Sequence, residues 1–276
     1  MSNTWRDMLE DYFRLEGKTA IVTGALGLLG KQHCYALSEA GASVIVCDLE
    51  EVSCKDFASE LGNNSSGVGV DITEYTSVEN LLAVALGKYK AVDILVNNAA
   101  INDKFENAAD SFELSKFENY PLALWNESLK VNLTGMFICS QVIGTGMARK
   151  NSGSIINIAS TYGIVAPDQS LYKDKSGLQH FYKTAAYPAT KGAVISFTKY
   201  LAAYWGSKGV RVNSLSPGGV ENFQDEFFIE NYSGRTPLGR MAKPADYKGS
   251  LIFLASDASG YMTGANLVVD GGFTIW

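Results

Sequence analysis

Seven short β-branched runs, separated by stretches of mostly helical periodicity, restrict this chain more than any other feature. They are "TAIVTG" (19–24), "SVIVCD" (43–48), "GVGVD" (67–71), "DILVNNA" (93–99), "SIINIAS" (154–160), "VRVNSLSP" (210–217) and "NLVVDGG" (266–272). Their nearly continuous apolar character suits strands covered on both faces, and hence a parallel sheet. Between them, "LLGKQHCYALSEAG", "TSVENLLAVALGKY", "LWNESLKVNLTGMFICSQVIGTGMARK", "YPATKGAVISFTKYLAAYWG" and "PADYKGSLIFLAS" space apolar residues by three and four, as crossover helices do. No Pro- or Ser-rich linker, repeat or low-complexity tract divides the 276 residues, 46% of them hydrophobic. The expectation is one doubly wound α/β domain over 1–276, with 1–17 as a lead-in.

Composition removes several functions. A net charge of −6 and a pI near 5.1 argue against nucleic acid, which draws on clustered Lys and Arg. The opening "MSNTWRDMLEDYFRLEGK" has no apolar leader, and nowhere do eighteen apolar residues run together, so a cytoplasmic protein without a membrane partner is expected. Cys34, Cys47, Cys54 and Cys139 form no CxxC pair, and there are two histidines, which points to buried free thiols and no metal.

The stretch "TGALGLLG" (23–30) places Gly24, Gly27 and Gly30 between the first strand and its helix. A glycine inside a helix costs about 1 kcal/mol relative to alanine. Here the glycines let backbone N–H groups and the positive helix end face a pyrophosphate. Asp48 ends the second strand 24 positions after Gly24, where a carboxylate accepts from an adenosine ribose. No Lys or Arg lies between Thr23 and Gly30 to neutralise a 2′-phosphate, and Asp48 would repel one, so NAD is favoured over NADP.

"YPATK" (187–191) is the strongest candidate for the chemistry. On a helix, residues four apart share a face, so the Lys191 ammonium can favour the Tyr187 phenolate and bring a group of ordinary pKa near 10 into use. "YWGSK" repeats the spacing at Tyr204 and Lys208 but reads as a surface helix terminus. Ser160 closes the strand before Tyr187 and could hold a carbonyl or hydroxyl oxygen. Asn132, an amide inside an apolar helix, needs a partner there, and a packing role is an equal alternative.

Together, "TGALGLLG", "NNAA", "WNESLKVNLTG", "GSIINIAS", "YPATKGAV", "VRVNSLSPGG" and "YMTGANLVVDGG" resemble the short-chain dehydrogenase/reductase family over most of the chain. The resemblance implies a Rossmann-type sheet of about seven strands in the order 3-2-1-4-5-6-7, with helices on both faces. It implies that Ser160 orients the reacting oxygen and Tyr187 is the acid/base. Lys191 would lower the Tyr187 pKa and bind the nicotinamide ribose, while Asn132 holds a proton-relay water. Asp71 would lie by adenine, Asn98 would steady the strand beside the cofactor, and Pro217 and Gly218 would shape the nicotinamide pocket. Gly24, Gly27, Leu28, Leu29, Asp48, Ile72, Ala99 and Val220 complete the implied cofactor contacts. The implied activity is hydride transfer between NAD and a hydroxyl or carbonyl carbon.

Four departures from the family pattern stand out. The glycine motif is TGxxGxxG, typical of a longer branch acting on nucleotide sugars, where the short branch has TGxxxGxG; the end of the chain matches the short branch. Ala100 replaces a usual glycine. Two insertions, 101–121 and the region 165–186 between Ser160 and Tyr187, should border the substrate mouth. One carries Lys173, Lys175, His180 and Lys183; the other carries Phe105, Phe112, Phe117 and Tyr120. A polar, anionic substrate such as a sugar acid, phosphate or nucleotide-linked sugar is one reading, and solvated or subunit-contact loops are the other. Residues 220–243, with Phe223, Phe227, Phe228, Arg235 and Arg240, should form a substrate lid or an interface. A homodimer or homotetramer follows by analogy. The alternatives to a dehydrogenase are an NAD-dependent epimerase or dehydratase of a nucleotide sugar, and a non-catalytic dinucleotide sensor.

Overall fold

The computed structural model of the protein describes residues 10–103 and 108–276, so Phe105 and residues 1–9 of the lead-in lie outside the described residues. Strands β1 (Thr19–Thr23), β2 (Ser43–Asp48), β3 (Ser66–Gly69), β4 (Ile94–Asn97), β5 (Gly153–Ile158), β6 (Val210–Pro217) and β7 (Asn266–Val269) form one sheet. Its order is β3-β2-β1-β4-β5-β6-β7, every pairing parallel. This is the expected order, with several strands ending short of the apolar runs because their last residues turn into the site.

Alternation along each strand sorts the sheet into two cores. Ala20, Val22, Val44 and Val46 face α1 (Leu28–Glu39), α2 (Glu51–Leu61) and the later helix Lys248–Ala255. Ile21, Ile45, Leu95 and Ile155 face α3 (Tyr75–Tyr89) and two longer helices introduced below. Helix α2 has no counterpart among the sequence expectations. Its buried residues are Cys54, Phe57 and Ala58, too sparse a stripe for periodicity to reveal.

After β4 come α4 (Ala108–Ser115) and α5 (Leu122–Leu129), then a π-helical turn Lys130–Gly135 leading into α6 (Met136–Arg149). The sequence predicts one uninterrupted helix here; the inserted turn marks where Asn132 leaves the regular ladder. The run 122–149 is long and apolar enough to cross a membrane by length and composition. Ile138, Cys139, Ile143 and Met147 of this run are instead buried against the sheet. Helix α7 (Ala186–Trp205) follows the second insertion, α8 (Glu226–Gly234) lies in the expected lid, and α9 is Lys248–Ala255.

Strand order reverses at β1, which pairs with both β2 and β4. Helices on opposite faces therefore part at the carboxyl ends of these strands, which opens a crevice there. A ladder of amides crosses the sheet beneath it: Asn97 Nδ2 donates to Asn157 Oδ1 at 2.8 Å, and Asn157 Nδ2 donates to Thr198 Oγ1 at 2.9 Å. Thus β4, β5 and α7 are tied together below the site.

Candidate active site

The crevice holds a cavity of about 770 Å³ that runs from the glycine turn to the segment 220–243. Gly24 follows β1 with φ +61°, and a Cβ there would meet the Ala99 backbone at 2.7 Å. At Gly30 a Cβ would stand 2.1 Å from the Gly24 carbonyl oxygen, so only glycine permits this approach. Gly27 caps α1 without any side-chain hydrogen bond. The first-turn N–H groups at Leu28, Leu29 and Gly30, which a helix leaves without intrahelical partners, thus remain for an anion. The shifted middle glycine therefore still builds a tight turn at a helix N-terminus. Ala100 is exposed at the lip and is not among the residues of positive φ, so a side chain is accommodated there.

The Asp48 carboxylate accepts from the Leu26 N–H at 3.0 Å and the Leu49 N–H at 2.9 Å. These bonds fix it at the wall beside Gly24. Asp71 and Ile72 line the same end, and Thr73 holds the Asp71 carboxyl below the usual carboxylate range by donating from both its hydroxyl and its N–H. Asn98 Nδ2 donates to the Thr23 and Gly24 carbonyls at 3.0 and 2.9 Å, clamping the ends of β1 and β4 together. Ala99, Pro217, Gly218 and Val220 complete the wall. These residues fit a dinucleotide: glycine backbone for the pyrophosphate, a fixed carboxylate for a ribose, and an apolar slot for rings.

At the other end, Ser160 stands just past β5, where its Oγ accepts from the Tyr162 N–H at 3.1 Å, and it lines the cavity together with Tyr187. Tyr187 and Lys191 occupy one face of α7. The Lys191 ammonium lies 5.8 Å from the Tyr187 ring centroid and donates to the Ile158 carbonyl at 2.7 Å. Burial pushes the Tyr187 phenol above its ordinary value, while the Ser160 hydroxyl works downward. Burial likewise brings the Lys191 ammonium down to about 8. The Y-x-x-x-K spacing predicts the neighbourhood correctly, but desolvation sets the direction of the tyrosine's shift.

Asn132 is buried in the π turn, where Oδ1 accepts from the Ile101 N–H at 2.7 Å and Nδ2 donates to the Ile101 carbonyl at 3.0 Å. Both ends of the amide hold the start of the first insertion. Tyr204 and Lys208, the second match to the motif, lie away from the cavity at the exposed end of α7.

Near the site, Asp103, Ser128, Tyr182 and Thr184 are residues the sequence did not single out, whereas Phe112, Tyr120 and Lys183 are among those it did. The two insertions meet: Asp103 accepts from the hydroxyls of Tyr120, Ser128 and Thr184, and the Phe112 ring stacks on Tyr182. Lys183 reaches Asn102 Oδ1 at 2.8 Å and sits 4.3 Å from the Tyr187 ring centroid. Its position four before Tyr187 was a possible signal, but α7 begins at Ala186, so helical spacing does not apply to it. The segment 220–243 is stitched at its base by the Val220–Ala242 bridge, and Arg235 pairs with Asp168 of the second insertion. Tyr172, Phe228, Tyr232 and Phe273 form a small aromatic core where insertion and segment join.

A family model described as enoyl-(acyl carrier protein) reductase matches residues 24–274. The chain is 33% identical over 271 residues to a D-threitol dehydrogenase of Mycolicibacterium smegmatis, covering 95% of each chain. The chain belongs to the short-chain dehydrogenase/reductase family. This dehydrogenase superposes with a TM-score of 0.83 on a short-chain dehydrogenase from Leptospira borgpetersenii with bound NAD+, at 34% identity, covering 96% of this chain and 95% of that one. It also resembles a gluconate 5-dehydrogenase from Burkholderia cenocepacia in complex with NADP and tartrate: TM-score 0.82, 32% identity, 97% of this chain and 99% of that one. It is an NAD(P)-dependent oxidoreductase acting on CH–OH groups.

Proposed function

We propose that the enzyme interconverts a secondary alcohol and a ketone on a sugar-like substrate, a polyol or sugar acid, with NAD as its cofactor. The observation that carries this reading is that Ser160, Tyr187 and Lys191 line the same cavity as the glycine turn. Tyr187 takes the proton of the substrate hydroxyl at its phenolic oxygen, and Ser160 holds that hydroxyl in line. Lys191 offsets the negative charge of the phenolate that receives this proton, and Asn132 keeps the adjoining loop in place through Ile101. NAD, when bound, supplies the hydride acceptor. The backbone N–H groups at Leu28, Leu29 and Gly30 would hold its pyrophosphate, and Pro217, Gly218 and Val220 would flank its nicotinamide. Asp48, fixed by two N–H groups with Leu49 beside it, favours a free ribose hydroxyl over a phosphate. Relatives named for D-threitol and gluconate support a polyhydroxylated substrate.

A screen of polyols, sugars, sugar acids and hydroxysteroids with NAD and NADP tests this. We expect turnover on polyhydroxylated compounds, faster with NAD, and a loss of roughly 10²- to 10⁴-fold in kcat for Tyr187→Phe with cofactor affinity nearly intact. Turnover retained in Tyr187→Phe would remove its assigned role.

The enzyme is also proposed to be a cytoplasmic homo-oligomer. Four unpaired cysteines suit a reducing compartment, which cell fractionation checks. Phe137, Phe197, Tyr200 and Tyr204 form a run of ring contacts across α6 and α7, with Phe137, Tyr200 and Tyr204 exposed. Such a surface favours a second copy.

A further inference from the structure

The second insertion brings four basic side chains to the substrate side of the molecule, and the structure separates them. Lys173 and Lys175 are exposed. His180 is tied to Asp174 at 2.6 Å in a surface turn. Lys183 alone of the four lines the cavity.

Its placement is built. The Gln169 side chain clasps the Lys183 backbone from both sides, accepting from its N–H at 2.8 Å and donating to its carbonyl at 3.0 Å. The next residue, Thr184, is anchored on Asp103 of the first insertion. The ammonium is then held between Asn102 Oδ1 at 2.8 Å and the face of the Tyr187 ring, 4.3 Å from its centroid. The cation thus sits against the ring that carries the phenol.

Its charge is in no direct ion pair among the described residues, and Asp103 acts on it only from a distance. The Asp103 carboxylate already accepts three hydroxyls. Of the other side chains lining the cavity, Ser160, Tyr162, Tyr172, Asn222, Gln224 and Phe228 are neutral, and the charged ones are Asp48, Asp71, Glu127, Lys130 and Lys191. A desolvated ammonium is costly without an anion, and burial accordingly brings it down to about 8 despite the opposing pull of Asp103. At neutral pH the group is still mostly charged.

We infer that Lys183 is a specificity-determining residue whose ammonium receives a carboxylate of the substrate, so that the enzyme acts on hydroxy acids of the sugar-acid class in preference to neutral polyols. The inference rests on Tyr187 serving as the acid/base of CH–OH chemistry. With the carboxylate at Lys183, a hydroxyl a short distance along the same carbon chain falls at the Tyr187 phenol. The proton then leaves that hydroxyl for Tyr187, and the hydride would leave the carbon bearing it, whose position relative to the carboxylate is set by the protein.

The test compares matched aldonate and alditol pairs, such as D-gluconate with D-glucitol, using purified enzyme and both cofactors. The wild type is expected to favour the acid of a productive pair by at least about tenfold in kcat/KM, as one charge-assisted contact allows. Lys183→Gln should collapse that preference at least about tenfold, chiefly through the KM of the acid, and Lys183→Arg should restore much of it. Lys175→Gln, in the same insertion but exposed, should leave the preference as in the wild type. An unchanged preference in Lys183→Gln, or a wild type that favours the alditol, overturns the inference while leaving the alcohol dehydrogenase reading intact. Absence of turnover on every pair with either cofactor overturns both.

Discussion

His33 lies in α1 with both ring nitrogens buried and without a hydrogen-bond partner among the described residues. Burial brings its pKa down from 6.5 to about 4, so the folded protein keeps the imidazole neutral where the unfolded chain protonates it. The stability tied to neutral His33 is fully present above about pH 6.5 and is lost as pH falls from there through about 4. Between about pH 7.5 and pH 5 the loss comes to about 2 kcal/mol, before most carboxylates titrate. Urea unfolding at the two values should show this drop in the wild type, and a clearly smaller one in His33→Leu. Equal drops in both proteins would mean that His33 is not the group responsible. The same rule of burial governs Lys183, Lys191 and Tyr187, each displaced toward its uncharged form.

At the scale of elements, the π turn Lys130–Gly135 separates a surface helix from a core helix within one continuous run. Its extra residue turns Asn132 toward Ile101, where a regular helix would have continued its ladder. Removing that amide leaves a backbone donor and acceptor of Ile101 without their partner, at a cost of about 1 to 3 kcal/mol. Asn132→Ala should therefore melt several degrees lower and turn over more slowly, since Ile101 adjoins Asn102 and so the Lys183 contact. A thermal melt indistinguishable from the wild type would count against this bracing role. The segment 220–243 and the second insertion are coupled in the same manner, by Arg235 on Asp168 and Ser170 and by Phe228 on Tyr172.

On the scale of the whole molecule, two apolar layers cover the sheet, yet Tyr200 and Tyr204 remain 62% and 65% exposed and stack on each other at 6.0 Å. Among the described residues nothing covers these rings beyond their partial burial. Replacing both by lysine places two charges where another copy would dock, so sedimentation should move toward the 29.8 kDa chain from a larger wild-type mass. A wild type that sediments as a single chain would discard the oligomer proposal.

Local pattern alone determined much of this protein. Unbroken β-branched runs require two covering layers, which is why strands and crossover helices could be read directly from residues 19 to 269. The glycine turn and the Tyr187–Lys191 pair are encoded within single segments, so short-range geometry suffices to place them. Tertiary structure decided what depends on contacts between distant segments. Only the meeting of two insertions shows that Lys183 faces Tyr187 while Lys173 and Lys175 do not, because Gln169, Asn102 and Asp103 set that geometry from elsewhere in the chain. Only burial reveals that Tyr187 shifts upward despite its lysine, since desolvation depends on everything packed around a group and not on its sequence neighbours.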